Sequence, residues 1–417
     1  MTATDRPDAA VFEQEMRARF LQKENLSKLF HLVLPHLDME APTLVYILTQ
    51  ADRIGHFALE QQILKTLYGP RYERIIVITG PMTRPGTNAR IRDCLGDGFV
   101  WIETDDEVIL AMGFIDGGVA DLGKIHLLLQ SPRLLIVEFW RQVVAGVRPA
   151  QLVLPDDLRE HAHVELRRIG IDPDAPFVFF HMRTLKYQPG LTHHGHRTAN
   201  IASYAPSVRR LLNAGFQVIR LGEPGLEPGG WPDDGYVSLP DALPHDRSVD
   251  LAVLADAAFG SAQNSGPIWV AAAFGVPSLR TNTPFEHLNL PYNQDLTLFK
   301  RYRDRGSDRF LSYLEILERR LPSVFRDADF EERNIDVVDN DADQIEEATG
   351  EYLALLANVQ TPDAPRQDRF RALGAAYEAE IKQEPWFQSE YLDFYGYAHS
   401  TAAIAHAALT DDPDFLA

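Results

Sequence analysis

The sequence predicts an α/β protein with two doubly wound parallel-sheet domains facing each other across a cleft. Three observations predict it. Short apolar runs rich in β-branched residues alternate with an amphipathic helical stretch between Thr43 and Gly80, the strand–helix–strand pattern of a parallel sheet. The same alternation returns from Pro176 to Asn282. Between the two, residues 153–174 read as a charged helix ending in a Gly- and Pro-containing link, the texture of a domain boundary. The domains are placed at 41–170 and 171–340, with a helical segment before them (1–40) and another after (341–417).

Composition narrows the function classes. The chain has 417 residues, 45% hydrophobic and 24% charged, ordinary for a globular protein of two domains. Its net charge of −20 argues against broad attraction to nucleic acid or anionic lipid. Cys94 is the single cysteine, which rules out an intramolecular disulfide framework and fits a reducing compartment. The N-terminus shows no basic stretch followed by an apolar core, and no run approaches 18 apolar residues. The expectation is a cytoplasmic protein without a membrane span.

Taken in order, residues 8–34 carry an apolar stripe at helical spacing (Phe12, Met16, Phe20, Leu26, Leu29, Phe30) with Arg17, Arg19, Lys23 and Lys28 interleaved. Packing on the protein's own body is the commoner explanation of such a helix; a membrane-surface or partner helix is the alternative. Thr43–Gln50 reads as a buried strand, the chain turns at Gly55 into a helix, and Arg74–Gly80 is the next strand. Phe99–Thr104 and Leu134–Trp140 are candidates for further elements. In the second half Pro176–Arg183 and Phe216–Glu223 read as strands, with an amphipathic helix stopped by Gly215 between them. Ser278–Asn282 is again strand-like. A helix is expected at Ser312–Arg320, another from about Ala342, and the aromatic tail from Arg366 to Ala408 is helical and can pack back across the first domain.

The stretch Phe259–Pro277, FGSAQNSGPIWVAAAFGVP, gives the first candidate site. A tight turn of small and polar residues leads into a helix opened by Pro267 and closed by Gly275 and Pro277, the usual helix punctuation. The first turn of such a helix offers backbone N–H groups and the positive end of the dipole, and Ser265 and Gly266 let an anion come close. Ligands of a doubly wound sheet bind at the carboxyl ends of its strands. The neighbouring loops there are Arg53–His56, His181–Tyr187 and Leu221–Gly225.

Together the blocks RIGHFALE, FFHMRTLKY, GFQVIRLGE, NSGPIWVAAAFGVP and TN resemble, in their order, a glycosyltransferase family of bacterial carbohydrate clusters. The resemblance spans Thr43 to Leu321 and implies the GT-B architecture of two Rossmann-like domains. The NSGP–helix–GVP block is also similar to the donor site of heptosyltransferase-type enzymes, where it packs under the diphosphate of a nucleotide-sugar. The resemblance implies transfer of a sugar from a nucleotide-sugar co-substrate to an acceptor hydroxyl or amine, in bacterial glycan or glycosylated-metabolite biosynthesis, without a metal or other cofactor. The family pattern has an acidic residue after the His-x-Arg, where this chain has Thr184.

That chemistry needs a clamp for the leaving diphosphate. Asn264, Ser265 and Gly266 supply the helix end, with Arg183 as the first cation and Lys186 as the second, since a guanidinium fork suits two phosphate oxygens. His181, Gly222 and Glu223 are the candidate nucleoside contacts, Glu223 accepting from ribose hydroxyls. His56 is the candidate base, at the turn where heptosyltransferase-like enzymes have an aspartate, and Glu60, one helical turn on, orients it. His56 as a helix cap or simple acceptor contact is the competing reading. A nucleotide-sugar epimerase and a non-catalytic nucleotide-binding protein are the alternative functions. His193, His194 and His196 lack nearby carboxylates or cysteines and read as a loop, or a lid, before a metal site. Asp116–Gly118 is a turn signal and Cys94 a packing residue; Lys300–Arg305 reads as a solvated basic run, with a phosphate contact from the domain edge as the alternative.

Overall fold

Parallel strands covered on both faces need near-continuous apolar runs, and Thr43–Leu48 is such a run, buried at all six positions. It is β1, the centre of the first sheet in a computed structural model that describes residues 9–121, 123–184, 192–227, 231–232, 234–244, 246–291, 294–359, 361–383, 393–406 and 414–416 (side chains from residue 14, and not those of 192–193). The described residues fall into two compact units, one within Met1–Pro155 and one within Asp156–Gln388 and Leu392–Ala417.

The first unit contains helices α1 (Ala9–Phe20), α2 (Lys23–Val33), α3 (Ile54–Leu67), α4 (Glu107–Met112) and α5 (Pro132–Val144). Its strands are β1, β2 (Arg74–Thr79), β3 (Phe99–Glu103), β4 (Gly118–Asp121) and β5 (Ile125–Leu129). They are ordered β3-β2-β1-β5-β4. All pairs are parallel except β4 with β5. Val45, Ile47, Ile76, Ile78 and Leu129 pack under Leu29 and Val33 of α2 and Ile109 and Met112 of α4; each such side chain contributes about 1.5–3 kcal/mol on burial. The expected single helix over 8–34 is broken: Gln22 takes an extended conformation (φ −71°, ψ 150°) and starts α2 afresh. Leu134–Trp140 is helical, capped by the Ser131 hydroxyl with Pro132 in the first turn.

The second unit opens with α6 (Asp156–Arg168) and β6 (Phe177–His181), followed by α7 (Ala205–Asn213), β7 (Gln217–Leu221), β8 (Tyr236–Ser238) and α8 (Leu239–Ala242). Next come α9 (Arg247–Asp256), β9 (Phe259–Ala262), α10 (Gly266–Ala273), β10 (Ser278–Thr283) and β11 (Leu296–Phe299). Strands β12 (Arg301–Asp304) and β13 (Arg309–Phe310), helices α11 (Tyr313–Glu318) and α12 (Asp327–Glu332), and strand β14 (Ile335–Val338) follow. Helices α13 (Ala342–Leu356), α14 (Ala364–Ile381) and α15 (Gly396–His399) and strand β15 (Ala403–Ile404) complete the described part. Seven strands form one parallel sheet, β15-β11-β10-β9-β6-β7-β8. Gly260 in β9 has a packing reason: a Cβ there would stand 2.0 Å from the Phe179 ring.

Two expectations for this half are corrected. Lys300–Arg305 is solvated only in part. Lys300 is 2% exposed, its Nζ donates to the Thr198 carbonyl at 2.6 Å and to Asp339 at 2.5 Å, and burial holds its pKa below the usual lysine value. The residues after it form β12, antiparallel to β14, where Arg303 and Arg305 pair with Asp336. The described tail packs on this second unit: Phe370, Tyr377, Tyr395 and Tyr397 join Phe285, Phe299, Tyr302 and Tyr313 in one core, and β15 extends the sheet at β11.

Candidate functional site

Strand order reverses at β6. Its chain successor β7 lies on one side and β9 on the other, and the crevice at such a reversal is where doubly wound sheets bind ligands. Residues from both sides meet there. His181 ends β6, Ser265 follows β9, and His181 Nδ1 lies 3.0 Å from Ser265 Oγ. The Ser265 hydroxyl also donates to the Gln263 carbonyl at 3.2 Å, which assigns the imidazole proton to Nδ1. Burial, reinforced by Arg220 and Arg183, pushes the His181 pKa down to about 3, so the ring is neutral at ordinary pH.

Ser265 is the residue before α10 and is extended (φ −150°, ψ 173°), but its side chain makes no capping bond. The hydroxyl is turned to His181, Pro267 has no N–H, and Gly266 carries no side chain. The first turn of α10 therefore keeps its backbone donors unscreened by a cap at the dipole's positive end. The Asn264 side chain is tied to the neighbouring loop. Its carboxamide Nδ2 donates inward to Glu286 (2.8 Å) and Asn289 (2.9 Å), while its buried Oδ1 has no hydrogen-bond partner among the described residues.

Three loops are tied to this turn. The Gln263 side chain, 1% exposed, accepts from the Arg183 backbone N–H at 2.7 Å and donates to the Arg197 carbonyl at 3.3 Å. Thr184 Oγ1 donates to Glu223 Oε2 at 3.2 Å. A carboxylate thus stands beside position 184, supplied by the neighbouring strand's loop. Burial raises the Glu223 pKa, opposed by its backbone and Thr184 hydrogen bonds and by Arg220 and Arg183. The loop is held from below by Arg220, 1% exposed, which donates to the Glu223 carbonyl at 2.7 Å and to Ser238 at 2.6 Å, and pairs with Glu227 and Asp241. Gly222 has φ +114°, and a Cβ there would lie 3.4 Å from the His181 ring. The structure thus brings His181, Arg183, Gly222, Glu223, Asn264, Ser265 and Gly266 to one sheet edge; Lys186 lies outside the described residues.

In the first unit the sheet reverses between β1 and β5, and α3 begins after β1. His56 sits in the first turn of α3, with Nδ1 2.9 Å from Glu60 Oε1. Glu60 is fully buried, and its other oxygen accepts from Tyr46 Oη at 2.6 Å. The Glu60 carboxylate accepts a hydrogen bond from Nδ1–H, which leaves the lone pair of the ring on Nε2. The His56 side chain is 31% exposed. Burial and Glu60 hold the Tyr46 pKa well above its ordinary value, so Tyr46 is a fixed proton donor.

Other sequence candidates fall into packing roles. His196 Nδ1 pairs with Asp327 at 2.6 Å, and the Asp327 carboxylate also accepts from the Gly195 and His196 backbone. Among the described residues no three His, Cys, Asp or Glu side chains are grouped to hold a metal ion; the His193 side chain lies outside them. Asp116 accepts from the Ser131 N–H at 2.7 Å, a turn-to-helix contact. Burial pushes the Cys94 thiol up to about 12, as for a packed, unreactive cysteine. No helix among the described residues is long and apolar enough to cross a membrane.

Tyr46, Arg220 and Gln263 were missed by sequence reasoning. Each lies within or just after an apolar strand, where the pattern reports burial; a polar residue inside a buried run was the available signal.

No family model matches the chain, and no curated protein does. Among solved structures it is similar to a glycosyl transferase family 9 protein from Veillonella parvula (11% identity, 75% of this chain and 97% of that one, TM-score 0.41). It is also similar to E. coli ADP-heptose LPS heptosyltransferase II (14% identity, 62% of this chain and 90% of that one, TM-score 0.35). A third is E. coli heptosyltransferase WaaC with ADP (11% identity, 62% and 91%, TM-score 0.32).

Proposed function

We propose that the protein is a glycosyltransferase that moves a sugar from a nucleotide-sugar to an acceptor hydroxyl or amine. The observation that carries this reading is the His181–Ser265 contact at the strand-order reversal, with an uncapped helix start and the Arg183 segment beside it. Such a site suits a diphosphate: backbone donors and a guanidinium take the charge that grows on the leaving group. In the reaction the bond from the anomeric carbon to the β-phosphate oxygen breaks, and its electron pair leaves with the nucleoside diphosphate. The acceptor oxygen or nitrogen bonds to that carbon and gives its proton to His56 Nε2. Glu60, held by Tyr46, keeps the ring in the tautomer able to take it. Glu223 and the Gly222 turn are assigned to the nucleoside, and no metal or other cofactor enters the proposal.

The test is a thermal-shift and calorimetric screen with UDP, GDP, ADP and dTDP and their sugars, followed by a product search with the best donor. A binding nucleoside diphosphate raises the melting temperature by mass action. No shift with any of them at saturating concentration would falsify the reading. Donor epimerised without any acceptor would point to an epimerase, and binding without turnover to a non-catalytic role.

A further inference from the structure

Arg197 is a charged side chain near the turn before α10 that the site reading does not use. It ends the 192–197 turn, which Asp327 fixes through Gly195 and His196. Its carbonyl is held by Gln263 (3.3 Å), and its own Nη2 reaches the Asn264 carbonyl at 3.5 Å. The next segment returns to the first arginine, with the Ala199 N–H donating to the Arg183 carbonyl at 3.3 Å. One buried carboxamide, Gln263, therefore ties two arginine-bearing segments to the turn before α10.

The guanidinium is under-used. Nε lies 3.1 Å from Glu286 Oε1, an ion-pair distance, yet it is buried without an aligned hydrogen bond, and the Nη2 contact is long. An arginine offers five donors, and a structural ion pair normally takes two of them in a fork. Glu286 is also shared, since its other oxygen accepts from Asn264 Nδ2 at 2.8 Å. Beside this group the buried Asn264 Oδ1 lacks a donor.

We propose that Arg197 is a second phosphate-binding cation of the donor site, held ready by Glu286 and positioned with Arg183 by Gln263. The inference rests on the diphosphate reading above. When the anion binds, the guanidinium turns its Nη donors to the phosphate while Nε stays against Glu286. Glu286 is the acidic counterpart that pairs with Arg197, and it weakens anion binding by its own charge.

The test compares wild type, Arg197→Gln, Glu286→Gln and the double variant for binding of inorganic pyrophosphate and of UDP, GDP, ADP and dTDP by calorimetry. Arg197→Gln should lower diphosphate affinity about tenfold or more and flatten its salt dependence, with melting temperature within a few degrees of wild type. Glu286→Gln should raise diphosphate affinity. A purely structural pair gives the opposite: Glu286→Gln destabilises without any gain, and Arg197→Gln leaves diphosphate affinity unchanged in wild-type and Glu286→Gln backgrounds. That result overturns the role of Arg197 and leaves the donor site standing. If wild type binds neither pyrophosphate nor any of the diphosphates, the donor-site reading falls, and this inference with it.

Discussion

His181 Nδ1 and Ser265 Oγ stand 3.0 Å apart, joining the last residue of the sheet's first strand to the residue just before α10. The two are 84 positions apart in the chain, and parallel pairing of β6 with β9 brings them together. Burial, with Arg220 and Arg183 nearby, keeps that imidazole neutral, so the ring adds no charge of its own to the crevice.

The pH dependence of stability follows from that imidazole. Its folded pKa of about 3 lies below the unfolded value of about 6.5. Between these values the unfolded chain binds the extra proton, so stability falls as pH drops through this window. From pH 7 to pH 5 this one group costs about 2 kcal/mol. His287, lowered to about 4 by burial, contributes with the same sign in every variant. His181→Asn keeps a donor for Ser265 and should lose about 2 kcal/mol less than wild type over that interval. Urea unfolding at the two pH values measures it; equal losses in both proteins would contradict the assignment.

A second prediction concerns the buried Tyr46–Glu60–His56 chain. Tyr46→Phe removes one donor from a fully buried carboxylate, and should destabilise by about 1–3 kcal/mol. Glu60→Gln no longer selects the Nδ1–H tautomer and should lower turnover about a hundredfold or more, while leaving donor affinity near wild type. Steady-state kinetics alongside diphosphate calorimetry separates the two effects. A fall in donor affinity as large as the fall in turnover would show that the chain shapes the protein and does not serve proton transfer.

The elements that carry the candidate site were legible for a physical reason. β1, β2, β6 and β7 are covered on both faces, so they read as continuous apolar runs, and α10 is punctuated by Pro267, Gly275 and Pro277. The edge strand β4 has four exposed residues and therefore no apolar pattern. β12 resembles a basic run, since Arg303 and the following Arg305 owe their order to Asp336, more than thirty residues away. In the site, His56 and Glu60 were readable because a helix fixes the i, i+4 spacing. Tyr46 with Glu60, and Gln263 between Arg183 and Arg197, depend on how strands and loops are placed in space, and no local spacing encodes that.

Gly222 gives a third prediction. At φ +114° an alanine is strained by about 1–3 kcal/mol, and its Cβ would stand against the His181 ring. Gly222→Ala should therefore weaken nucleotide affinity more than inorganic pyrophosphate affinity, because the strain falls on the nucleoside side of the proposed site. Parallel calorimetry with UDP, GDP, ADP or dTDP and with pyrophosphate reads the ratio. An equal loss for both would remove the loop from nucleoside recognition.

The last prediction tests what holds α10 in place. Arg280, 1% exposed, donates from Nη2 to Asp295 at 2.7 Å and lies over the Trp269 ring of α10 at 5.2 Å. Asp295 also accepts from the Ser278 N–H at 2.7 Å and from its hydroxyl at 2.9 Å, so one carboxylate fixes both the start of β10 and the guanidinium under the helix. Asp295→Ala leaves a buried cation unpaired and should cost about 3–5 kcal/mol. Replacing the pair together, Arg280→Met with Asp295→Ala, removes the stranded charge and should recover part of that loss. If the double variant is as unstable as Asp295→Ala, the cost lies in the bonds to Ser278 and not in the buried charge. Urea unfolding of the three proteins decides between them.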